Sequence, residues 1–225
     1  MDASRHYDDG YHREVHPNLI GNDSYFDASA QALQAMYLNK EERGLRILDY
    51  GCGIGQMIYG LPNAAGFEIS GEARQHCERR GLRVWGRLAD VPPGQWDLVI
   101  VRHVLEHLES PLDALRQIQP LLTGQGRLIV ILPRESHAAA TLTPDVNQHL
   151  FCWNFRSLNN LLWRAGYQAE SNEYRFVRGF GVWLPLHKMG FPRLYRLAVR
   201  MAGRLVGNAE ILVRAHPVNR SVETK

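Results

Sequence analysis

Leu45-Arg-Ile-Leu-Asp-Tyr-Gly-Cys-Gly-Ile-Gly55 decides the fold: a short apolar strand, Leu45 to Tyr50, runs straight into glycines at 51, 53 and 55. Glycine lets the backbone turn sharply and lets a ligand approach with no Cβ in the way. A short helix is expected from Gly55 to about Leu61, stopped by Pro62, with its first N–H groups offered to a carboxylate or phosphate.

Outward from this loop the chain alternates strands and helices. Ala64 to Glu68 reads as a second strand, and Ser70 caps a helix through Arg80 that Gly81 ends. Arg83 to Arg87 is a weak third strand, and Trp96 to Val101 is a near-continuous apolar run suited to a central parallel strand. A helix from Ser110 to Leu122, a turn at Gly124 to Gly126 and a strand from Arg127 to Leu132 follow. A helix at Ser157 to Arg164, a strand near Glu173 to Val177 and a last strand near Ile211 to Arg214 complete the series. Such alternation predicts an α/β fold, a doubly wound and mostly parallel sheet with helices on both faces, which binds ligands at the carboxyl ends of its strands.

At 225 residues, 45% hydrophobic and 22% charged, the chain can bury one substantial core, which excludes a fibre, a disordered tail and a disulfide-stapled miniature. Cys52, Cys77 and Cys152 form no paired framework, no secretion signal follows Met1, and every apolar run is broken before the ~18 residues of a membrane span. A cytoplasmic protein is expected. The net charge of +3 is too small to indicate a nucleic-acid partner, and it is unevenly spread. Seven Lys or Arg and no Asp or Glu lie between Tyr174 and Ala209, while the rest of the chain holds 19 basic and 23 acidic residues.

Glu68, at the end of the second strand, gives the glycine loop a partner, because an ionised carboxylate is acceptor-only and can take both ribose hydroxyls of a nucleoside. A dinucleotide loop wants G-x-G-x-x-G, and counted from Gly51 the third glycine is replaced by Gln56. The G-x-G-x-G spacing preceded by Asp49 instead resembles motif I of the class I S-adenosylmethionine-dependent methyltransferases. Further markers are Gly66-Phe-Glu-Ile-Ser70, Trp96-Asp-Leu-Val-Ile-Val-Arg-His-Val-Leu-Glu-His107, Leu112-Asp-Ala-Leu115, Gly126-Arg-Leu-Ile-Val130 and His149-Leu-Phe-Cys-Trp-Asn-Phe-Arg-Ser-Leu158. The resemblance runs from about Leu45 to Ala215, and it is nearest to methyltransferases of small molecules, quinones and sugars.

The resemblance implies a Rossmann-like, seven-stranded sheet, S-adenosyl-L-methionine as cofactor and a small-molecule acceptor, with oxygen the first guess for the accepting atom. It implies that Gly51, Cys52, Gly53 and Gly55 line the cofactor loop, that Asp49 organises it, that Glu68 takes the ribose and that Ile69 packs on the adenine. Arg102 and His103 would close over the methionyl chain. The stretch Gly86-Arg-Leu-Ala-Asp90 offers the adenine either the Leu88 backbone or Asp90. It further implies an N-terminal lead-in over residues 1–44 that covers the cofactor, its aromatic stretches being Tyr7 to His12 and Asn22 to Phe26. A catalytic domain over 45–216 and a tail at 217–225 follow. A nucleotide-binding oxidoreductase and a non-catalytic cofactor-binding regulator remain the competing readings.

A hydroxyl acceptor must lose a proton, and His is the usual base near neutral pH. His103, Glu106 and His107 fall at i, i+3 and i+4, so a helical turn after the fourth strand would put them on one face. His107 and His103 are the candidate catalytic residues. Hydrogen bonds that merely fix the turn are the plain alternative. A divalent metal is a further one, since some quinone-ring O-methyltransferases look similar here with Glu-x-x-Glu-His, although no metal ligand set is favoured. His-Val-Leu-Glu-His also matches the H-x-x-E-H pattern of inverted zinc proteases, a match of only five residues that needs another, distant acidic ligand. His149, Trp153 and Arg134 are candidates for the acceptor site, against a core role for Trp153 and Phe155.

Within the basic segment, from Pro192 to Val206, Arg193, Arg196, Arg200 and Arg204 form one helical stripe, and Leu194, Leu197, Ala198, Met201 and Leu205 another. The region 179–207 is expected to be an amphipathic insertion. It would either pack on its own sheet, meet a membrane surface, cover an apolar acceptor or form a homodimer face.

Overall fold

The computed structural model describes residues 18–135, 142 and 148–218; the Tyr7 to His12 lead-in and the tail beyond residue 218 lie outside them. In chain order the elements are α1 (Asp23–Tyr37), β1 (Ile47–Tyr50), β2 (Ala64–Phe67), α2 (Gly71–Arg79), β3 (Val84–Trp85), β4 (Trp96–Arg102), α3 (Pro111–Ile118), β5 (Leu122–Pro133), α4 (Phe155–Arg164), β6 (Tyr167–Phe176), α5 (Phe180–Lys188), α6 (Pro192–Val206) and β7 (Ala209–Pro217). The chain forms two compact units: one runs to Val91 and takes up Phe176–Asn208, and the other comprises Pro92–Arg175 and the chain from Ala209 on.

In the first unit the strands take the order β3-β2-β1, all parallel, with Asp49 opposite Gly66 and Phe67 opposite Trp85. All four residues of β1 are buried, as a parallel strand covered on both faces requires. Asn22 caps α1 by accepting from the Tyr25 N–H at 3.0 Å, and Ser70 caps α2 by accepting from Ala73 at 3.2 Å. Phe26 and Ala30 of α1 pack against Leu19 and Ile54, and Ala32 packs with Val177, Leu184, Tyr195 and Val199. Helix α1 thus serves two clusters, one toward the glycine turn and one toward α5 and α6.

In the second unit the order is β4-β5-β7-β6, with β4 and β5 parallel and β5 and β7 antiparallel, Leu128 pairing Ala215 and Pro133 pairing Glu210. The strands β4 and β5 supply an apolar centre in which Leu98, Val99, Ile100 and Val101 are essentially inaccessible to solvent. The Tyr167 hydroxyl, fully buried, donates to the Leu115 carbonyl at 3.0 Å and ties β6 to α3.

Three expectations change. The helix predicted at Gly55 to Leu61 is a series of turns: one i→i+4 bond, Tyr59 N–H to Gly55 O at 3.0 Å, forms before Gly60 and Pro62 end it. The Gln34 side chain replaces the missing helical donors, giving its amide hydrogens to the Gln56 carbonyl at 3.0 Å and the Tyr59 carbonyl at 2.8 Å. The Gly124 to Gly126 turn is part of β5, which starts at Leu122, because residues 123–126 bulge out between the pairs Trp96–Leu122 and Leu98–Arg127. Finally, the buried stripe of α6 is Tyr195, Val199 and Gly203, whereas Leu194, Leu197, Met201 and Leu205 are exposed.

Candidate functional site

The glycine turn of the first unit is held from below by β2. The Gly51 and Cys52 N–H groups donate to the Phe67 carbonyl at 2.8 and 3.0 Å, and Gly53 N–H donates to Glu68 Oε2 at 2.8 Å. The other carboxylate oxygen, Oε1, accepts from Ser70 N–H at 2.8 Å. Glu68 therefore clamps the turn to the start of α2 while each oxygen keeps a lone pair for a further donor. Burial pushes its pKa up, and the backbone donors of Ser70, Gly53 and Ile69 with the Arg74 guanidinium pull it back. Arg74 donates to the Glu68 and Ile69 carbonyls at 2.8 Å each, fixing the backbone that leaves β2.

Gly55 has no substitute at its position: φ is +86°, and a Cβ there would lie 2.4 Å from Leu82 Cδ1 and 3.0 Å from Cys77 Sγ. Asp49 is buried at the end of β1, and Ile69 is exposed just past Glu68. Leu88 sits half-buried in a 3-10 turn, Leu88–Asp90, while Asp90 is exposed. Cys52 is buried, and its hydrogen bond with Cys77, then burial, keep the thiol well above the usual range. It lines the turn as an uncharged thiol. Among the described residues, the candidates Asp49, Gly51, Cys52, Gly53, Gly55, Glu68, Ile69 and Leu88 all belong to this unit. The set fits an adenosyl ligand: acceptor capacity at Glu68, an apolar surface at Ile69, and glycines where a chain of atoms must pass close to backbone.

The second unit carries the titratable cluster. Past β4 the chain does not turn α-helical: His103 takes φ +53°, in the left-handed region, and a 3-10 turn covers Leu105–His107. Non-glycine residues held there cluster at functional sites. The ring of His103 meets Glu210 of β7, Nε2 to Oε1 at 2.8 Å, and Arg102 Nη2 lies 3.6 Å from the same oxygen. Burial, with the Arg102 charge beside it, holds His103 below the usual imidazole range, against the pull of Glu210.

Glu106 is fully buried, and neither of its carboxylate oxygens has a hydrogen-bond partner among the described residues; His103 Nδ1 lies 4.0 Å from its Oε1. Burial pushes its pKa up to about 8. The Glu106 carbonyl accepts from Leu150 N–H at 2.7 Å, which brings His149 against His107 with ring centroids 4.7 Å apart at 74°. His149 Nδ1 hydrogen-bonds Glu135 Oε1, and Cys152 Sγ donates to Glu135 Oε2 at 3.2 Å.

One ligand atom from each of Glu106, His107 and His149 lies within 4.8 Å of the others. The trio with the spacing to share a cation is thus not His103, Glu106 and His107, since Glu210 engages the His103 ring. Arg134 stands apart, exposed, its guanidinium 5.5 Å from the Tyr174 ring centroid. Trp153 stacks on Phe151 at 5.7 Å and keeps a buried Nε1 with no hydrogen-bond partner among the described residues, whereas Phe155 packs on Tyr174 at 4.5 Å. Sequence reasoning missed Gln34, Arg74, Glu135 and Glu210. Only Arg74, one turn past the Ser70 cap, had a local signal.

Known proteins bear on both units. A family model described as a methyltransferase domain matches residues 24–172. The chain is 35% identical over 82 residues to a ubiquinone biosynthesis O-methyltransferase of Methylococcus capsulatus, covering 30% of this chain and 35% of the relative, and 31% identical over 101 residues to that of Aeromonas salmonicida, covering 39% and 42%. It therefore spans well under half the length of these curated relatives. The Burkholderia thailandensis 1,6-didemethyltoxoflavin-N1-methyltransferase, solved with 1,6-didemethyltoxoflavin and S-adenosylhomocysteine, aligns with a TM-score of 0.59 at 16% identity, covering 96% of this chain and 88% of that one. The fold is accordingly the Rossmann-like α/β architecture with a seven-stranded mixed sheet. Because the family model takes in the glycine turn, its Glu68 clamp and the histidine cluster in one continuous match, the chain belongs to the methyltransferase-domain family.

Proposed function

We propose that the protein is an S-adenosylmethionine-dependent methyltransferase acting on a small-molecule acceptor at oxygen, in the cytoplasm, with no nucleic acid as partner. The observation that carries this reading is the Glu68 carboxylate bridging Gly53 N–H and Ser70 N–H, a ribose-ready acceptor locked onto a glycine turn.

The cofactor supplies an electrophilic methyl group on a sulfonium. Gly51, Gly53 and Gly55 would hold its methionyl part, with Asp49 organising the turn. Glu68 takes the ribose, and Ile69 and Leu88 flank the base. Bound there, the cofactor would offer its methyl carbon to an acceptor oxygen aligned opposite the sulfur, with sulfur as the leaving group. The acceptor's proton passes to the histidine pair His107 and His149. Glu135 supports that role by holding His149 Nδ1, which leaves Nε2 as the atom that takes the proton. Alignment of acceptor and cofactor supplies most of the acceleration, up to roughly 7–11 kcal/mol for well-oriented groups. His103, bound to Glu210, keeps the chain in its left-handed turn and so presents Glu106 and His107. Trp153 and Arg134 are assigned to the acceptor.

The same reading makes the 179–207 segment a contact surface, for a membrane or for a second copy of the chain. Incubation with radiolabelled S-adenosylmethionine and a panel of phenols, catechols and other hydroxylated metabolites tests the reaction. Label transfer to at least one hydroxyl is expected, and transfer confined to amines or thiols would reassign the accepting atom.

A further inference from the structure

Helix α6 has three faces where a helix packed on one side has two. Tyr195, Val199 and Gly203 bury the first, and a Cβ on Gly203 would lie 2.3 Å from the Val177 nitrogen, so the helix is already seated backbone to backbone. Leu194, Leu197, Met201 and Leu205 form the second, between 47% and 83% exposed. Arg193, Arg196, Arg200 and Arg204 form the third, alongside the apolar stripe, and none has a carboxylate partner among the described residues. Phe191 and Met189, at the turn before α6, extend the apolar stripe and are also more than half exposed.

We propose that this surface docks on an anionic lipid bilayer, with the α6 leucines and Met201 in the interface and the arginines reaching the headgroups. Charge selects this occupant. From Tyr174 to Ala209 there is no Asp or Glu, so a second copy meeting the stripe about a two-fold axis would set one arginine row near its equivalent with no acid of the segment between them. Phosphate headgroups supply the missing charge, and an arginine beside an apolar stripe keeps its stem in the apolar layer while its guanidinium stays at the surface. No described helix is long and apolar enough to cross a membrane, so α6 lies along the interface. This docking goes beyond the methyl-transfer reading and is tested without turnover.

The test is sedimentation of the full chain with phosphatidylcholine vesicles, with and without phosphatidylglycerol. The variants are Arg193→Gln/Arg196→Gln/Arg200→Gln/Arg204→Gln and Leu194→Gln/Leu197→Gln/Met201→Gln/Leu205→Gln; all eight positions are exposed, and melting curves confirm that both variants fold. Wild type is expected to partition onto the anionic vesicles and not onto phosphatidylcholine alone. The arginine variant should lose on the order of 1000-fold in partitioning, and the apolar variant about tenfold or more. Absence of wild-type binding, or equal binding by all three proteins, overturns the proposal. So does a wild-type dimer without vesicle binding that the apolar variant dissociates, which assigns the stripe to a second copy. Vesicle binding by a chain that ignores S-adenosylhomocysteine would leave the docking standing and remove the methyl-transfer reading.

Discussion

Glu68 accepts a 2.8 Å hydrogen bond from the Gly53 N–H, and this bond joins the end of β2 to the turn that follows β1. A carboxylate proposed to bind ribose therefore also shapes the loop that receives the rest of the ligand. Glu68→Ala is expected to weaken S-adenosylhomocysteine binding by about 1.5–3 kcal/mol, the range for hydrogen bonds to a charged group. Titration calorimetry of the variant checks this, and unchanged affinity would place the ribose elsewhere.

Gln34 holds the same loop from the other side, through the Gln56 and Tyr59 carbonyls. Replacing it by Leu removes two donors from partly buried acceptors. The Gln34→Leu protein should unfold about 1–3 kcal/mol more easily and bind S-adenosylhomocysteine more weakly. Urea denaturation with and without ligand separates the two effects, and a variant as stable as wild type would mean that solvent replaces the amide at no cost.

Glu106 gives the protein a pH-dependent stability. Its folded pKa, about 8, lies above the unfolded value near 4.5, so between those pH values the folded state keeps a proton that the unfolded state has lost. This contribution is complete below pH ~4.5 and falls away as pH rises toward 8, with a slope of at most about 1.4 kcal/mol per pH unit. Glu106→Gln, which stays neutral, should flatten that slope and be more stable than wild type at pH 8. Denaturant midpoints across the range measure it, and parallel curves for the two proteins would show that Glu106 is ionised in the fold.

His107, His149 and Glu135 should be separable from cofactor binding. His107→Ala and His149→Ala are expected to lower turnover by roughly 10²–10⁴-fold, with S-adenosylhomocysteine affinity within about twofold of wild type, the range in which uncoupled sites add. Glu135→Ala should fall in the same direction by a smaller factor. Turnover that disappears on treatment with a chelator and returns with added divalent metal would reassign Glu106, His107 and His149 from proton transfer to cation binding.

The parts of this arrangement legible in the sequence are those fixed by near neighbours. The strand into Gly51, Gly53 and Gly55, the Ser70 cap and the position of Glu68 follow from backbone geometry within a few residues, and each stands where the sequence puts it. What failed depended on distant partners. The turns after Gly55 are completed by Gln34, more than twenty residues earlier; His103 is committed by Glu210, on the last strand; and His149 is oriented by Glu135. Periodicity showed that α6 has an apolar stripe, but which face is buried was decided by Gly203, where the lack of a side chain lets the helix rest on the Val177 backbone. A hydrophobic pattern cannot rank a stripe of Tyr, Val and Gly above one of leucines.

Titration of the full chain with S-adenosylhomocysteine and, separately, with NAD addresses the central claim, that the glycine turn and Glu68 hold an adenosyl sulfonium. One S-adenosylhomocysteine site, weakened in Glu68→Ala, with no heat from NAD is the predicted result. Saturable NAD binding with no response to S-adenosylhomocysteine would contradict it.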